Sequence, residues 1–456
     1  MKNKKLYLLV LLCATFLLFM GCEQKDVESS DLTASVQEDM TLTVYLDSYT
    51  KDYMTGLVDQ FVREHPEVRV NVEDYSDMII PDYRKKLVED LLAGGGPDVI
   101  LAANTTNNTV QDLTKLLQNE VFLNLDTLDL DVSACAPQVL KAGKYNGGQY
   151  LIPLNYSLGH LLTTEERLEK YGIDITSDLE AFASSLAAIY DADKMAFLDI
   201  FTIEFLYRQN GLNFIDHKAK NLSSSQEHID AMQRVSSAYC RLFPNAFADN
   251  NADSYRFLIY QLKNYNYSVE EAFLAGDLVF FSAPAFMGAY ENLWLLNGVG
   301  EKILEAGETP VLFTLPTLDG QNASPCVNYF LLANKNTGNS EAVKLFMESA
   351  IGVASQYQVS SQLGIPVNTD LVDYMREFYL DGIVHETYGF TDNCSFPLEM
   401  TESYFSAIDT MVDGIYIDAE SCGKLFAILR EYDANGGDIA AAYAVGKQQL
   451  ETYLAD

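Results

Sequence analysis

Between Thr41 and Ala102 the spacing of apolar residues alternates between two periods, and this restricts the fold more than any other feature of the chain. Thr41-Leu42-Thr43-Val44-Tyr45-Leu46 alternates with period two and predicts a strand. Tyr53, Met54, Leu57, Val58, Phe61 and Val62 recur as one face of a helix. After the His65-Pro66 break, Val68, Val70 and Val72 alternate again. Tyr83, Leu87, Val88, Leu91 and Leu92 form a second helical face, and Asp98-Val99-Ile100-Leu101-Ala102 is a short apolar strand. Strand–helix–strand–helix–strand implies a parallel sheet with right-handed crossovers, hence an α/β unit. Gly94-Gly95-Gly96-Pro97 follows a helix rather than opening one, and no G-K-[ST] accompanies it. It is therefore read as a helix C-cap and turn, not a phosphate cradle.

A chain of 456 residues with 48% hydrophobic and 21% charged residues is globular and exceeds what one core organises, so two lobes are expected. The net charge of −35 argues against nucleic acid and anionic lipid headgroups as partners. Lys2, Lys4 and Lys5 precede an apolar run from Leu6 to Met20 that ends at Gly21-Cys22. That run is shorter than the roughly 20 residues of a membrane span, so residues 1–21 read as an export signal. Residues 22–40 are polar, Ser- and acid-rich, and read as a flexible tether. Cys135, Cys240, Cys326, Cys394 and Cys422 are scattered and never in a C-x-x-C arrangement, which favours buried free thiols over a disulfide framework.

Further along, Gly143 to Tyr150 is turn-rich and leads into Leu151-Ile152-Pro153. Helical patterns dominate from Thr163 to Val279, Glu227 to Leu242 among them. Val279-Phe280-Phe281 and Val327 to Ala333 are strand-like, Glu341 to Ile351 is an amphipathic helix, and the remaining C-terminal part reads as helices.

Several motifs in order resemble the extracellular solute-binding proteins of ABC importers, in the class of maltose- and oligosaccharide-binding proteins. Phe61 through Glu64-His65-Pro66-Glu67-Val68-Arg69-Val70 is similar to the family's F-x-x-x-x-P-x-I-x-V run. Ala93-Gly94-Gly95-Gly96-Pro97-Asp98-Val99 is similar to A-x-G-x-x-P-D-V, and Tyr145 to Pro153 to Y-D-G-K-x-Y-G-I-P. Thr164 to Ile173, Glu271 to Val279, Asn334 to Phe346 and Gln362 to Val367 take the places of four later pieces. Gly21-Cys22 resembles a bacterial lipobox, with Cys22 the acylated (palmitate-type) residue of a lipoprotein.

The resemblance implies an α/β, periplasmic-binding-protein-like fold of two lobes joined by a three-segment hinge. It places lobe 1 at residues 41–153 and 285–333 and lobe 2 at 154–284 and 334–456. Crossings are expected near Ile152–Tyr156, Ser282–Pro284 and Leu332–Asn334. It also implies a monomeric, lipid-anchored subunit that closes on a small-molecule solute, most naturally a carbohydrate, and presents it to ABC permease subunits. The membrane is reached through the anchor only, outside the cytoplasm of a Gram-positive type of cell. A peptide or polyamine solute stays open, because Trp294 is the one tryptophan. A surface glycan-active enzyme is the second class of function.

Ligands of open α/β sheets sit beyond strand C-termini, and sugar sites use aromatic faces and polar groups. The candidates are therefore Asp47, Ser48 and Tyr49 after the first strand, and Asn104 and Thr105 after the third. Asn155 and Tyr156 lie at the first crossing, Phe286 and Tyr290 after the second, and Asn328 and Tyr329 before the third. No catalytic residue, cofactor or metal is assigned. Ser48-Tyr49-Thr50-Lys51 is an S-x-x-K, but its K-T-G partner is missing. Asp249 to Asp253 lacks the Gly and Glu of a calcium loop, and the five histidines never pair at helical spacing.

Overall fold

The predicted alternation is realised as β1 (Thr41–Leu46), α1 (Lys51–Glu64), β2 (Arg69–Asp74), α2 (Ile80–Leu92) and β3 (Val99–Ala103). The structure, a computed structural model, describes residues 40–104, 110, 112–191, 196, 203–213, 215–216, 221–222, 225–242, 269–281, 293–320, 322–360, 364–383, 397–417, 424–425 and 439–455. β1 pairs in parallel with both β2 and β3. α1 buries Tyr53, Met54, Leu57, Val58 and Phe61 as its spacing requires, whereas Val62 lies at the stripe's edge and is exposed. β2 is an edge strand, so its alternation serves one face only and Val72 faces water. The glycine triplet does cap α2. Gly94 and Gly96 take φ of +81° and +88°, and the amides of Gly94 and Gly95 donate to the carbonyls of Leu91 and Asp90.

After α3 (Leu113–Gln118) the chain re-enters the sheet as β4 (Ile152–Ser157), turns at Leu158-Gly159, and continues as β5 (His160–Thr164). Helices α4 (Leu179–Ser185), α5 (Ile203–Gln209) and α6 (Gln226–Leu242) follow, then α7 (Leu293–Glu305) and β6 (Pro310–Thr314). β7 (Cys326–Ala333), α8 (Ser340–Ile351), β8 (Ile365–Pro366), α9 (Thr369–Asp381), α10 (Leu398–Thr410) and α11 (Ile439–Ala455) follow in chain order. The main sheet has the order β8-β4-β7-β3-β1-β2, with β7 antiparallel to both β3 and β4. All eight residues of β7 are buried, as a central strand covered on both faces must be.

β5 and β6 form a separate antiparallel pair. Near them lies a second core of Leu161, Leu179, Phe182, Leu206, Tyr207, Val235, Phe280 and others, in which Phe182 packs on both Phe280 and Phe313. Tyr443 and Leu450 of α11 belong to it.

These pairings differ from the expected division. The expected lobe-1 segment 285–333 contains β6, which pairs with β5 outside the main sheet. The expected lobe-2 segment 334–456 contains α8, whose Phe346 packs edge-to-face on Phe61 of α1 at 5.1 Å. Leu332–Asn334 is no crossing: it is the far end of β7, where Ala333 pairs with Val99 and the Asn334 amide donates to the Asp98 carbonyl. The chain passes between the two sheets at Leu158-Gly159 and again between Thr314 and Cys326. Ser282–Pro284 lies outside the described residues.

Candidate functional site

One end of the main sheet gathers most of the candidates. β3 and β7 run in opposite directions with Tyr329 opposite Ala103, so the end of β3 meets the start of β7. Asn155 of β4 lies opposite Tyr329, and Tyr156 opposite Val327. β1 ends at the same edge, delivering Asp47, Ser48 and Tyr49. Tyr53, in the first turn of α1, ties the two parts together by meeting Tyr329 edge-to-face at 5.0 Å.

At this edge the peptide groups are linked by side chains. The Asn104 amide donates to the Asn328 carbonyl at 2.7 Å, and Asn104 Nδ2 donates to the Val327 carbonyl at 3.2 Å. Asn328 lies against Gly364, whose φ of +143° and closeness to Tyr156 leave no room for a Cβ. Asn155 is completely buried, and neither its Oδ1 nor its Nδ2 has a hydrogen-bond partner. An orphaned buried amide is costly and points to a function or a bound water.

Asp47 is occupied by the backbone. Its Oδ1 accepts from the amides of Tyr49 and Thr50 at 2.7 and 2.9 Å, and its Oδ2 accepts from the Thr50 hydroxyl at 2.5 Å. These bonds close the turn that opens α1. Burial, with the nearby Asp47 charge, holds the Tyr83 phenol well above its usual range. Lys51 of the S-x-x-K is committed to Asp74 and Ser76, both at 2.8 Å, and so does not serve Ser48 as a base.

The remaining partner is one that pattern reasoning missed. Arg208, in the last turn of α5, is buried and reaches the same edge. Its Nη2 donates to the Asn104 carbonyl at 2.9 Å and its Nη1 to the Val327 carbonyl at 3.3 Å. Next to it, Gln209 Nε2 donates to the Leu315 carbonyl. The one sequence signal was a charged residue directly after the apolar Phe205-Leu206-Tyr207.

The structure thus brings Asn104, Asn155, Tyr156, Asn328 and Tyr329 to one edge, with Asp47, Ser48 and Tyr49 beside them. Only Ser48 is exposed and only Tyr49 half-buried; the others are buried. Tyr156 and Tyr329 are core rings in this conformation rather than open stacking faces. Thr105, Phe286, Tyr290 and Cys22 lie outside the described residues, as do Asp249 to Asp253. No group of His, Cys, Asp and Glu able to hold a metal ion occurs among the described residues.

The family model of the bacterial extracellular solute-binding proteins matches residues 47–357, more than half of the chain. The chain belongs to that family. The matched range of this solute-binding protein runs from the turn after β1 to the segment after α8. It is a binding protein, not an enzyme. Its fold is periplasmic-binding-protein-like and is shared with solved structures of low identity. The GacH receptor of Streptomyces glaucescens, solved unliganded and with acarbose, is 18% identical with a TM-score of 0.55, covering 92% of this chain and 99% of that one. A periplasmic oligogalacturonide binding protein from Yersinia enterocolitica is 14% identical with a TM-score of 0.59, covering 91% and 99%. An ABC substrate-binding protein from Listeria monocytogenes, in complex with cycloalternan, is 15% identical with a TM-score of 0.54, covering 92% and 100%. Among the described residues no helix is long and apolar enough to cross a membrane.

Proposed function

We propose that this protein is the lipid-anchored substrate-binding subunit of an ABC importer, and that it captures an oligosaccharide where the main sheet ends and delivers it to a permease. The observation that carries the sugar reading is the group of neutral amides at that edge, Asn104, Asn155 and Asn328. Amides offer a donor and an acceptor together, which suits sugar hydroxyls, and Tyr49 adds an aromatic face. The saccharides named for the similar structures, acarbose, cycloalternan and oligogalacturonide, support the same class.

Strand pairing supports a revised division, with one lobe built on 41–157 and 326–367 and the other on 160–314, to whose core Tyr443 and Leu450 of α11 add. Motion then concentrates at Leu158-Gly159 and at residues 315–325. Ligand moves the lobes only as far as it binds the closed form better than the open one. Cys22 carries the anchor, and residues 23–40 act as the tether to the envelope of a Gram-positive type of cell.

Thermal unfolding with maltotriose, mannotriose, trigalacturonate, tripeptides and spermidine tests the solute class. Saturable stabilisation by a saccharide without product supports the reading. Stabilisation by peptide or polyamine alone sinks the sugar assignment. Acyl labelling of wild type and Cys22→Ser decides the anchor, which fails if both incorporate label equally.

A further inference from the structure

The last turn of α5 belongs by its apolar residues to the second core, where Leu206 and Tyr207 are buried and the Tyr207 hydroxyl meets Ser236 Oγ at 2.9 Å. Its polar groups leave that core. Gln209 holds the passage between the sheets, with Nε2 on the Leu315 carbonyl and its own carbonyl accepting from the Ser324 amide at 2.9 Å. The Phe205 carbonyl accepts from Cys326 Sγ at 3.6 Å. Arg208 goes furthest and grips the edge of the main sheet.

Three features distinguish this grip from ordinary packing. First, the guanidinium is buried, with only neutral carbonyls as hydrogen-bond acceptors and no carboxylate ion pair among the described residues. Burying a guanidinium without a carboxylate partner is costly, so its two carbonyl contacts are what offsets that cost. Second, the Val327 carbonyl accepts from both Arg208 Nη1 and Asn104 Nδ2, so the guanidinium and the Asn104 side chain share one acceptor. Third, the Nε of Arg208 is buried with no partner, so the two Nη contacts alone hold the group.

We propose that Arg208 is a positioning residue for ligand capture: its two-pronged contact with the Asn104 and Val327 carbonyls fixes Asn104 relative to the second core. Arg208 itself need not touch the solute. A planar fork reaches two carbonyls at once, which an ammonium cannot do. The contact joins the second core to the main sheet beside the passage at Leu315, so it also ties the orientation of Asn104 to any bending there. This inference rests on the saccharide reading above, and one arm of its test is independent of that reading.

The test uses the full chain in detergent, with maltotriose, mannotriose and trigalacturonate as probes in calorimetric titration. For any probe that binds wild type, Arg208→Met is expected to weaken binding at least tenfold, and Arg208→Lys to recover only a minor part. The Asn104→Ala, Arg208→Met double variant is expected to bind no worse than Asn104→Ala alone, because Arg208 acts through Asn104. Additive losses, or a change under twofold in Arg208→Met, overturn the proposal. The independent arm is hydrogen exchange of the ligand-free protein. Arg208→Lys, which keeps charge and stem, is expected to raise amide exchange at least fivefold in peptides spanning 99–104, the end of β3 and Asn104, while those of α6 stay protected. Unchanged exchange at 99–104 overturns the positioning role even if no probe binds, whereas raised exchange without binding leaves it standing and discards the saccharide reading.

Discussion

The Asp47 carboxylate accepts both the hydroxyl and the amide of Thr50, at 2.5 and 2.9 Å, so one side chain anchors the entry to α1. Asp47→Ala is expected to lower stability by about 2–3 kcal/mol, combining a lost turn cap with amides left unsatisfied. Asp47→Asn keeps the shape and loses about half as much. Urea unfolding measures both, and an unchanged midpoint for Asp47→Ala means the turn holds without the carboxylate.

Gly159 sits at the bend between β4 and β5 with φ +78°, and an added Cβ meets the Phe205 ring at 2.9 Å. Gly159→Ala therefore incurs left-handed backbone strain of about 1–2 kcal/mol plus a steric overlap. Phe205→Leu in the same chain is expected to relieve the overlap and not the backbone cost. A double-mutant cycle in thermal unfolding separates the two, and strict additivity contradicts the overlap.

Tyr453 of α11 meets two cations, with Lys115 Nζ 4.0 Å and Lys424 Nζ 3.7 Å from its ring centroid, and its hydroxyl donates to Asp112. Tyr453→Phe keeps the ring and loses the hydrogen bond, at a cost of about 1 kcal/mol. Tyr453→Ala loses both cation contacts as well, at a cost of about 2 kcal/mol in total. Denaturation at two salt concentrations checks this, and equal costs for the two variants reject the cation contribution.

Acid sensitivity follows from carboxylates held low in the folded state. The Lys51 ammonium, then the Ser76 hydroxyl and amide, hold Asp74 well below the usual range, and Lys335 lowers Glu120. A depressed folded pKa contributes stability above the unfolded value near 4, and that stability is lost as pH falls through the folded value. Lys51→Met is expected to show a smaller drop in urea midpoint between pH 6 and pH 3 than wild type. An equal drop removes Asp74 from the account.

Burial pushes the Cys135 thiol up to about 12, with Asp131 adding to the effect, and Cys326 is also buried. A protonated, covered thiol is a poor nucleophile. At pH 8 Ellman's reagent is expected to leave both unmodified in the native protein while half-buried Cys240 reacts. Mass spectrometry of the labelled peptides reads the outcome, and rapid labelling of Cys135 contradicts its burial.

The first five elements were legible because each is encoded by its own local periodicity. The alternation of Thr41 to Leu46 and the helical stripe of Tyr53 to Phe61 need no distant partner to be read. What escaped was pairing across long stretches of chain. Nothing in Pro310–Thr314 announces that it joins His160–Thr164, and the run Ser340–Ile351 looks the same whichever lobe it covers. At the candidate site, chemistry could be read and accessibility could not. Asn104, Asn155 and Asn328 stood at predicted strand ends, but nothing local marked Tyr156 and Tyr329 as core rings. Arg208 escaped for a different reason: its acceptors are backbone carbonyls, which every residue has.

The placement of β7 has a consequence for how the protein is made. Ala103 finds its partner Tyr329 more than two hundred residues later. As the chain emerges, the early strands hold an open hydrogen-bonding edge along β3 for most of synthesis. An open apolar edge invites wrong partners, and a sheet completed by so distant a strand forms slowly. Slow closure leaves the early strands without their partner until β7, in the last third of the chain, has been made.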